Sequence, residues 1–245
     1  MTLSRPLEIL PQPDETTCGP TCLQAIYRYF GQEIPLQELI DSVPRFPHGG
    51  TLAVMLGCHA LRHGYHARIY TYNLDVFDPT WFQSDDIDIT ERLTTQLKYK
   101  TEPRLVTASH AYLEFLRLGG ELLMETLSEN LIAGYLEQSI PVLTGLSVTY
   151  LYQCSRERET DHRSDDLRGV PTGHFVVLCG IDRQHQRVLV ADPYLPNPLA
   201  EGQYYHAPLD RLISAILLGV LTYDANLLVL TPSSAPPDDP STKTH

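Results

Sequence analysis

Cys18 is the residue whose surroundings most clearly prepare it for chemistry. It follows the polar run Gln12-Pro13-Asp14-Glu15-Thr16-Thr17 and opens Cys18-Gly19-Pro20-Thr21-Cys22. Leu23, Ile26, Tyr27 and Phe30 then recur at helical spacing before Gly31, which predicts a helix over about 18–30 with Cys18 in its first turn. Unpaired backbone N–H groups and the positive end of the macrodipole meet at such a position, where they favour a thiolate over a thiol and so a nucleophile. Gln12, six residues upstream, is far enough away for the chain to loop back and aim a side-chain amide at a developing oxyanion.

A cysteine nucleophile needs a base, and the base needs an orienting group. His174-Phe175-Val176-Val177-Leu178-Cys179-Gly180-Ile181 reads as a buried strand that opens on histidine. Asp182 to Gln186 is a polar turn, and Arg187 to Asp192 reads as the return strand, ending in aspartate before Pro193. An antiparallel pair joined in this way sets His174 beside Asp192. Asp182 lies at the opposite end of the hairpin and is the weaker orienter.

The order Gln12, Cys18, His174, Asp192, with the cysteine opening a helix and the histidine a strand, resembles the papain-like cysteine peptidases. Gln12 to Pro20, His174-Phe175-Val176-Val177 and Asp192-Pro193 resemble the bacteriocin-processing peptidase domain, which trims leader peptides after a double glycine. Gly49-Gly50-Thr51-Leu52, Tyr70-Thr71-Tyr72-Asn73-Leu74 and Thr222 to Leu228 are similar to an uncharacterised bacterial branch of that family. The likeness to the branch runs to about Pro232, whereas the likeness to the processing peptidases is confined to the cysteine segment and the histidine and aspartate strands. The resemblance implies an α+β, papain-like cysteine peptidase fold, with N-terminal helices packed on an antiparallel β-sheet. It implies a catalytic set of Cys18, His174, Asp192 and Gln12 acting on a peptide or isopeptide bond of a peptide or protein substrate. No cofactor and no metal are implied. Two alternatives stay open: an acyl or peptidyl transferase, in which an amine replaces water, and a non-catalytic peptide-binding adaptor of the same fold.

The elements that must carry these residues are legible in part. Leu36, Leu39, Ile40 and Val43 mark a second helix ending before Pro44, and Thr51 is positioned to cap a third helix through His63, closed by Gly64. Tyr65 to Asn73 reads as a strand. Thr90 to Leu97 and His110 to Leu118 read as helices inside a segment of about 75–125, expected as a helical insertion relative to the compact processing peptidase. Thr126-Leu127-Ser128-Glu129 has the form of a capping box for a helix through Gln138. Ile140 to Leu151 follows as a strand, and Gln153 to Gly173 as a charged mobile loop leading to His174, either a lid over the site or a solvated loop without function. Tyr204-Tyr205 starts a strand, Leu209 to Leu218 forms a helix, and Asn226 to Leu230 a last strand. The peptidase-like domain is therefore expected over 1–231, with a disordered tail over 232–245 that is rich in Pro, Ser and Asp.

Composition narrows the function. The chain has 245 residues, 42% hydrophobic and 20% charged, enough for a sizeable core. Its net charge of −12, from 18 Lys and Arg against 30 Asp and Glu, gives no basic footprint for a nucleic-acid partner. No signal peptide or membrane span is legible, and no transporter domain follows, so the expectation is a cytoplasmic protein without membrane attachment. Five cysteines without a framework spacing fit free thiols. Cys22, one turn further on and deeper, reads as core, and its spacing from Cys18 is not the redox Cys-x-x-Cys motif. Cys58, His59, His63 and His66 cluster, with His59 and His63 one turn apart as zinc ligands are, but no carboxylate joins them and solvated helix-surface histidines are expected. Gly49-Gly50 lacks the following Lys-Ser or Lys-Thr of a phosphate loop and reads as a tight turn, with self-processing left open.

Overall fold

The computed structural model describes residues 3–46, 50–84 and 86–233. Gly49 of the expected double-glycine turn and residues 234–245 of the expected tail lie outside the described residues. Among the described residues seven strands form one sheet, in the order β2-β1-β7-β3-β4-β5-β6. The strands are β1 (Tyr65–Thr71), β2 (Glu121–Leu123), β3 (Val142–Ser147), β4 (Gly173–Asp182), β5 (Arg187–Ala191), β6 (Tyr204–Pro208) and β7 (Asn226–Pro232). Every pairing is antiparallel except the edge pair of β1 and β2, which is parallel. The three-residue β2 is too short to carry a periodic signal, and only its place beside β1 makes it a strand.

Eight α-helices accompany the sheet among the described residues. They are α1 (Cys18–Tyr29), α2 (Leu36–Ser42), α3 (Ala53–Arg62), α4 (Ile89–Gln96), α5 (Pro103–Arg117), α6 (Glu129–Leu136), α7 (Val148–Tyr152) and α8 (Leu209–Leu218). From the N-terminal half, α1 packs on β4 and α3 on β1 and β7, so the helices expected to rest on a sheet supplied by later residues do so. The apolar stripe of α1 is fully buried, with Leu23, Ile26 and Tyr27 at 0% exposure.

Helix starts depart from the sequence reading in three places. Thr51 does not cap α3, because its hydroxyl donates to the Pro44 carbonyl at 2.8 Å. The Asp224 carboxylate takes that role from 171 residues away, accepting from the Ala53 N–H at 2.9 Å. Helix α5 begins at Pro103, well before His110, because the Glu102 carboxylate accepts from the N–H groups of Arg104 and Leu105 and proline suits a first helical turn. Ser128, not Thr126, caps α6 by accepting from Leu131 N–H. The strand expected over Ile140 to Leu151 is likewise divided. Its residues pair as far as Ser147 opposite Gly173, where β4 begins and the ladder runs out, and Val148 to Tyr152, mostly β-branched or aromatic, coil into α7.

The charged segment 153–172 forms no helix or strand and folds on itself through bridges of Glu157 with Ser164 and Val170. Its end is fastened to α7, since Thr172 N–H donates to the Thr149 hydroxyl and Val148 N–H to the Thr172 carbonyl. No helix among the described residues is long and apolar enough to cross a membrane.

Candidate active site

Cys18 is the first residue of α1, and the approach to it is tied down by short-range bonds. Asp14 accepts from Thr16 N–H and hydroxyl at 2.8 Å each, and the Thr17 hydroxyl donates to the Asp14 carbonyl. Burial raises the Asp14 carboxyl, but these bonds and the nearby Arg45 charge bring it below its ordinary value. Gly19 lets α1 approach its neighbours closely. A Cβ there would lie 2.6 Å from Thr51 Cγ2 and 3.2 Å from Phe175 Cδ2. Pro20 stands in the first turn, where a missing N–H leaves no bond unmade.

The other half of the site comes from the β4–β5 hairpin. Val177 pairs with Ala191, the last pair of the ladder, and a register shift between Leu178 and Gly180 bends β4. Beyond that end His174 Nε2 donates to Asp192 Oδ1 at 2.8 Å, and Cys18 lies close enough to the same imidazole to favour its charged form. Since Nε2 is engaged by the carboxylate, Nδ1 is the ring nitrogen left for the sulfur. Cys18, His174 and Asp192, which are 9%, 9% and 0% exposed, are thus brought together. Asp182 is not, and instead accepts from His185 and Arg187 at the far end of the hairpin.

Charge at the site follows from burial and pairing. Burial opposes a charged His174, yet the Asp192 carboxylate and Cys18 outweigh it and raise the imidazole to about 10. Burial also opposes a charged Asp192, but the histidine, the Tyr194 N–H and Tyr152 hold its carboxyl below the ordinary aspartate value. Cys22, one turn behind Cys18, is raised well above a normal thiol by burial first and then by the nearby Cys18 and Asp192. It stays a thiol and belongs to the core.

Gln12 stands at the edge of this arrangement. Its backbone N–H donates to the carbonyl of Pro193, the residue after Asp192, at 2.9 Å. Its side-chain Nε2 donates to the Asp14 carbonyl at 2.8 Å, while Oε1 is buried without a hydrogen-bond partner. One amide proton of Gln12 is therefore engaged by the chain that leads to Cys18, and the second is not.

Three tyrosines that the sequence reading did not single out complete the surroundings of Asp192. Tyr152 and Tyr205 donate their hydroxyls to Oδ2 at 2.7 and 2.8 Å, and Tyr194 N–H donates to Oδ1 at 3.0 Å. The Tyr194 ring also meets the His174 ring edge-on, with centroids 6.2 Å apart. Only the Tyr204-Tyr205 pair carried any local signal, that of a strand start.

Of the histidine cluster expected to be solvated, His63 and His66 are exposed, whereas His59 and the neighbouring Cys58 are buried. His59 is 6% exposed, and its ring nitrogens meet the Tyr27 hydroxyl at 2.9 Å and the Ser42 hydroxyl at 3.2 Å. Burial, with the His63 and Arg62 charges, brings His59 down to about 4, so it is a neutral core residue. Outside the site, a hollow of about 410 Å³ opens between the start of α7 and the end of α8, lined by Ser147, Tyr150, Arg156, Pro171, Leu218 and Leu221. None of Gln12, Cys18, His174 and Asp192 lines it.

A family model described as "Peptidase_C39 like family" matches residues 6–210, a span that holds all four of these polar residues. The chain belongs to that family. No curated protein sequence matches it. Among solved structures, a protein assigned as a C39-like peptidase from Bacillus anthracis is 12% identical, covers 94% of this chain and 96% of its own, and has a TM-score of 0.50. The peptidase domain of Streptococcus ComA, a bi-functional ABC transporter, is 13% identical over 93% and 99%, with a TM-score of 0.43. Xylellain, a cysteine protease from Xylella fastidiosa, is 14% identical over 95% and 85%, with a TM-score of 0.42. The likeness to the Bacillus anthracis structure, at 12% identity, is one of fold. This C39-like chain has the mixed α and β papain-like peptidase fold, with its helix-borne thiol facing a histidine strand.

Proposed function

We propose that the protein is a cysteine peptidase acting on a peptide or isopeptide bond. The observation that carries this reading is the single imidazole of His174, hydrogen-bonded to the fully buried Asp192 and close enough to Cys18, at the start of a helix, to feel its charge. In the reaction the Cys18 sulfur attacks the substrate carbonyl while its proton passes to His174. Asp192 keeps the ring oriented and balances the imidazolium. The oxyanion takes the Cys18 backbone N–H and the unengaged amide proton of Gln12. His174 then returns its proton to the departing amine as the C–N bond breaks, and water, deprotonated by His174, hydrolyses the thioester. Membership of a peptidase family supports a peptide as the substrate.

The domain organisation goes with this reading: a peptidase-like unit over 1–231, in which α4 and α5 between β1 and β2 form a helical insertion at about 75–125. The low exposure of Cys18 and His174, 9% each, favours a second reading, a peptide-binding adaptor with no turnover. A peptidyl epoxide or vinyl sulfone separates the two. The peptidase modifies Cys18 in the native protein and loses that modification in His174→Ala, whereas the adaptor leaves Cys18 unmodified in both. A peptide library followed by mass spectrometry, with Cys18→Ala as the control, then identifies the bond that is cut.

A further inference from the structure

We infer that Tyr152 and Tyr205 are positioning residues of the proposed active site, together holding Asp192 as a carboxylate with its Oδ1 turned to His174. This rests on the reading of Cys18 and His174 as nucleophile and base.

An ionised carboxylate offers about four lone-pair sites, and here each receives a donor. Oδ1 takes His174 Nε2 and Tyr194 N–H, and Oδ2 takes the hydroxyls of Tyr152 and Tyr205. With Asp192 at 0% exposure, water cannot supply the two donors on Oδ2 if the phenols are absent. A carboxylate without them would rotate or take up a proton, and either change would remove the acceptor that holds the imidazole.

The convergence of two hydroxyls is what sets these tyrosines apart. Elsewhere among the described residues a phenol reaches its acceptor alone, as Tyr29 does at the Ser139 carbonyl, Tyr204 at the Leu7 carbonyl and Tyr223 at the exposed Glu102 carboxylate. Tyr152 and Tyr205 instead reach one oxygen from two elements, the end of α7 and the middle of β6, while His174 reaches the other from β4. The remaining titratable neighbours of Asp192 are Cys22 and Cys18 from α1 and Tyr194 from the segment after β5. Both phenols are pushed up by burial and then by the Asp192 charge, so they remain O–H donors throughout the neutral range.

The test uses the full chain carrying Cys154→Ser, which removes the exposed thiol. Alkylation of Cys18 by iodoacetamide is followed by peptide mass over about pH 4 to 9, alongside an NMR titration of the His174 ring. In Tyr152→Phe and Tyr205→Phe Asp192 takes up its proton at higher pH, so the acid-side midpoint of alkylation moves up. In the double variant it moves by about one unit, which makes alkylation about tenfold slower on that limb. Tyr204→Phe, which removes a neighbouring hydroxyl that does not touch Asp192, follows the parent. If the double variant's alkylation profile and His174 titration both coincide with the parent's, the tyrosines only fill space and the inference is wrong. Should Tyr205→Phe fail to fold, Tyr152→Phe alone decides by the same criterion. His174→Ala separates the two levels. If it leaves Cys18 alkylation unchanged the peptidase reading falls, while the NMR titration still reports whether the phenols govern the His174–Asp192 pair.

Discussion

One turn behind the proposed nucleophile, the Cys22 thiol donates a hydrogen bond to the Phe175 carbonyl at 3.3 Å. Phe175 follows His174 directly, so this bond joins the helix that carries one reacting group to the strand that carries the other. Cys22→Ala removes the donor and leaves a small cavity, at a cost of about 1 to 2 kcal/mol. The expected result is a lower melting temperature together with slower alkylation of Cys18, both partly restored in Cys22→Ser. A melting temperature that drops while Cys18 alkylation stays constant would mean that the tether stabilises the fold without aligning the site.

Gly19 sets the distance between α1 and its neighbours. Gly19→Ala drives a methyl into Thr51 Cγ2, and overpacking of this kind costs about 1 to 3 kcal/mol. Thr51→Ser removes that methyl and keeps the hydroxyl that bonds the Pro44 carbonyl. The double variant is therefore expected to recover stability relative to Gly19→Ala, a non-additivity that urea denaturation of the four proteins would measure.

The pair of His174 and Asp192 predicts how stability follows pH. His174 is raised in the folded state from 6.5 to about 10, so its contribution is complete below about pH 6.5 and disappears as pH climbs through 10. Asp192 is lowered from 3.8, so its share is present above that value and fades in stronger acid. Asp192→Asn breaks the pair and leaves a buried histidine that resists charging. The deficit is expected to be about 3 kcal/mol near pH 6 and to shrink by pH 10. Urea midpoints at the two pH values provide the comparison, and an equal deficit at both would refute the assignment.

Asp224 behaves in the opposite sense. Burial raises it to about 7, against the lowering effect of the Ala53 N–H and Asn226. An acid raised in the folded state destabilises the protein above that pH, and the penalty is relieved as pH falls toward the unfolded value of 3.8. Asp224→Asn keeps an acceptor for the start of α3 and removes the charge. We expect it to stabilise the protein by about 2 kcal/mol at pH 8 and hardly at all near pH 4, as read from thermal melts.

Gln12 tests the oxyanion part of the reaction separately from the nucleophile. Gln12→Ala is expected to slow peptide hydrolysis about 100-fold while iodoacetamide alkylation of Cys18, which forms no oxyanion, is unchanged. Equal loss in both assays would instead place Gln12 among the supports of the Cys18 segment, where its Nε2 bond to the Asp14 carbonyl already lies.

What the sequence by itself determined was local. A polar run, a thiol and an apolar period of 3.6 within one stretch specify a helix that starts at Cys18. Two apolar runs around Asp182 to Gln186 specify a hairpin that sets His174 near Asp192, because turn chemistry and alternation belong to contiguous residues. The tertiary structure alone decided which side chains fill the remaining needs. Asp224 rather than Thr51 meets the start of α3, and Tyr152 meets Asp192 from 40 residues away. The stretch after Ser147 coils because β4 has ended, although its own residues favour a strand. In each case an unsatisfied buried group takes whichever donor or acceptor packing brings within reach, and that choice depends on the whole sheet rather than on neighbours in the chain.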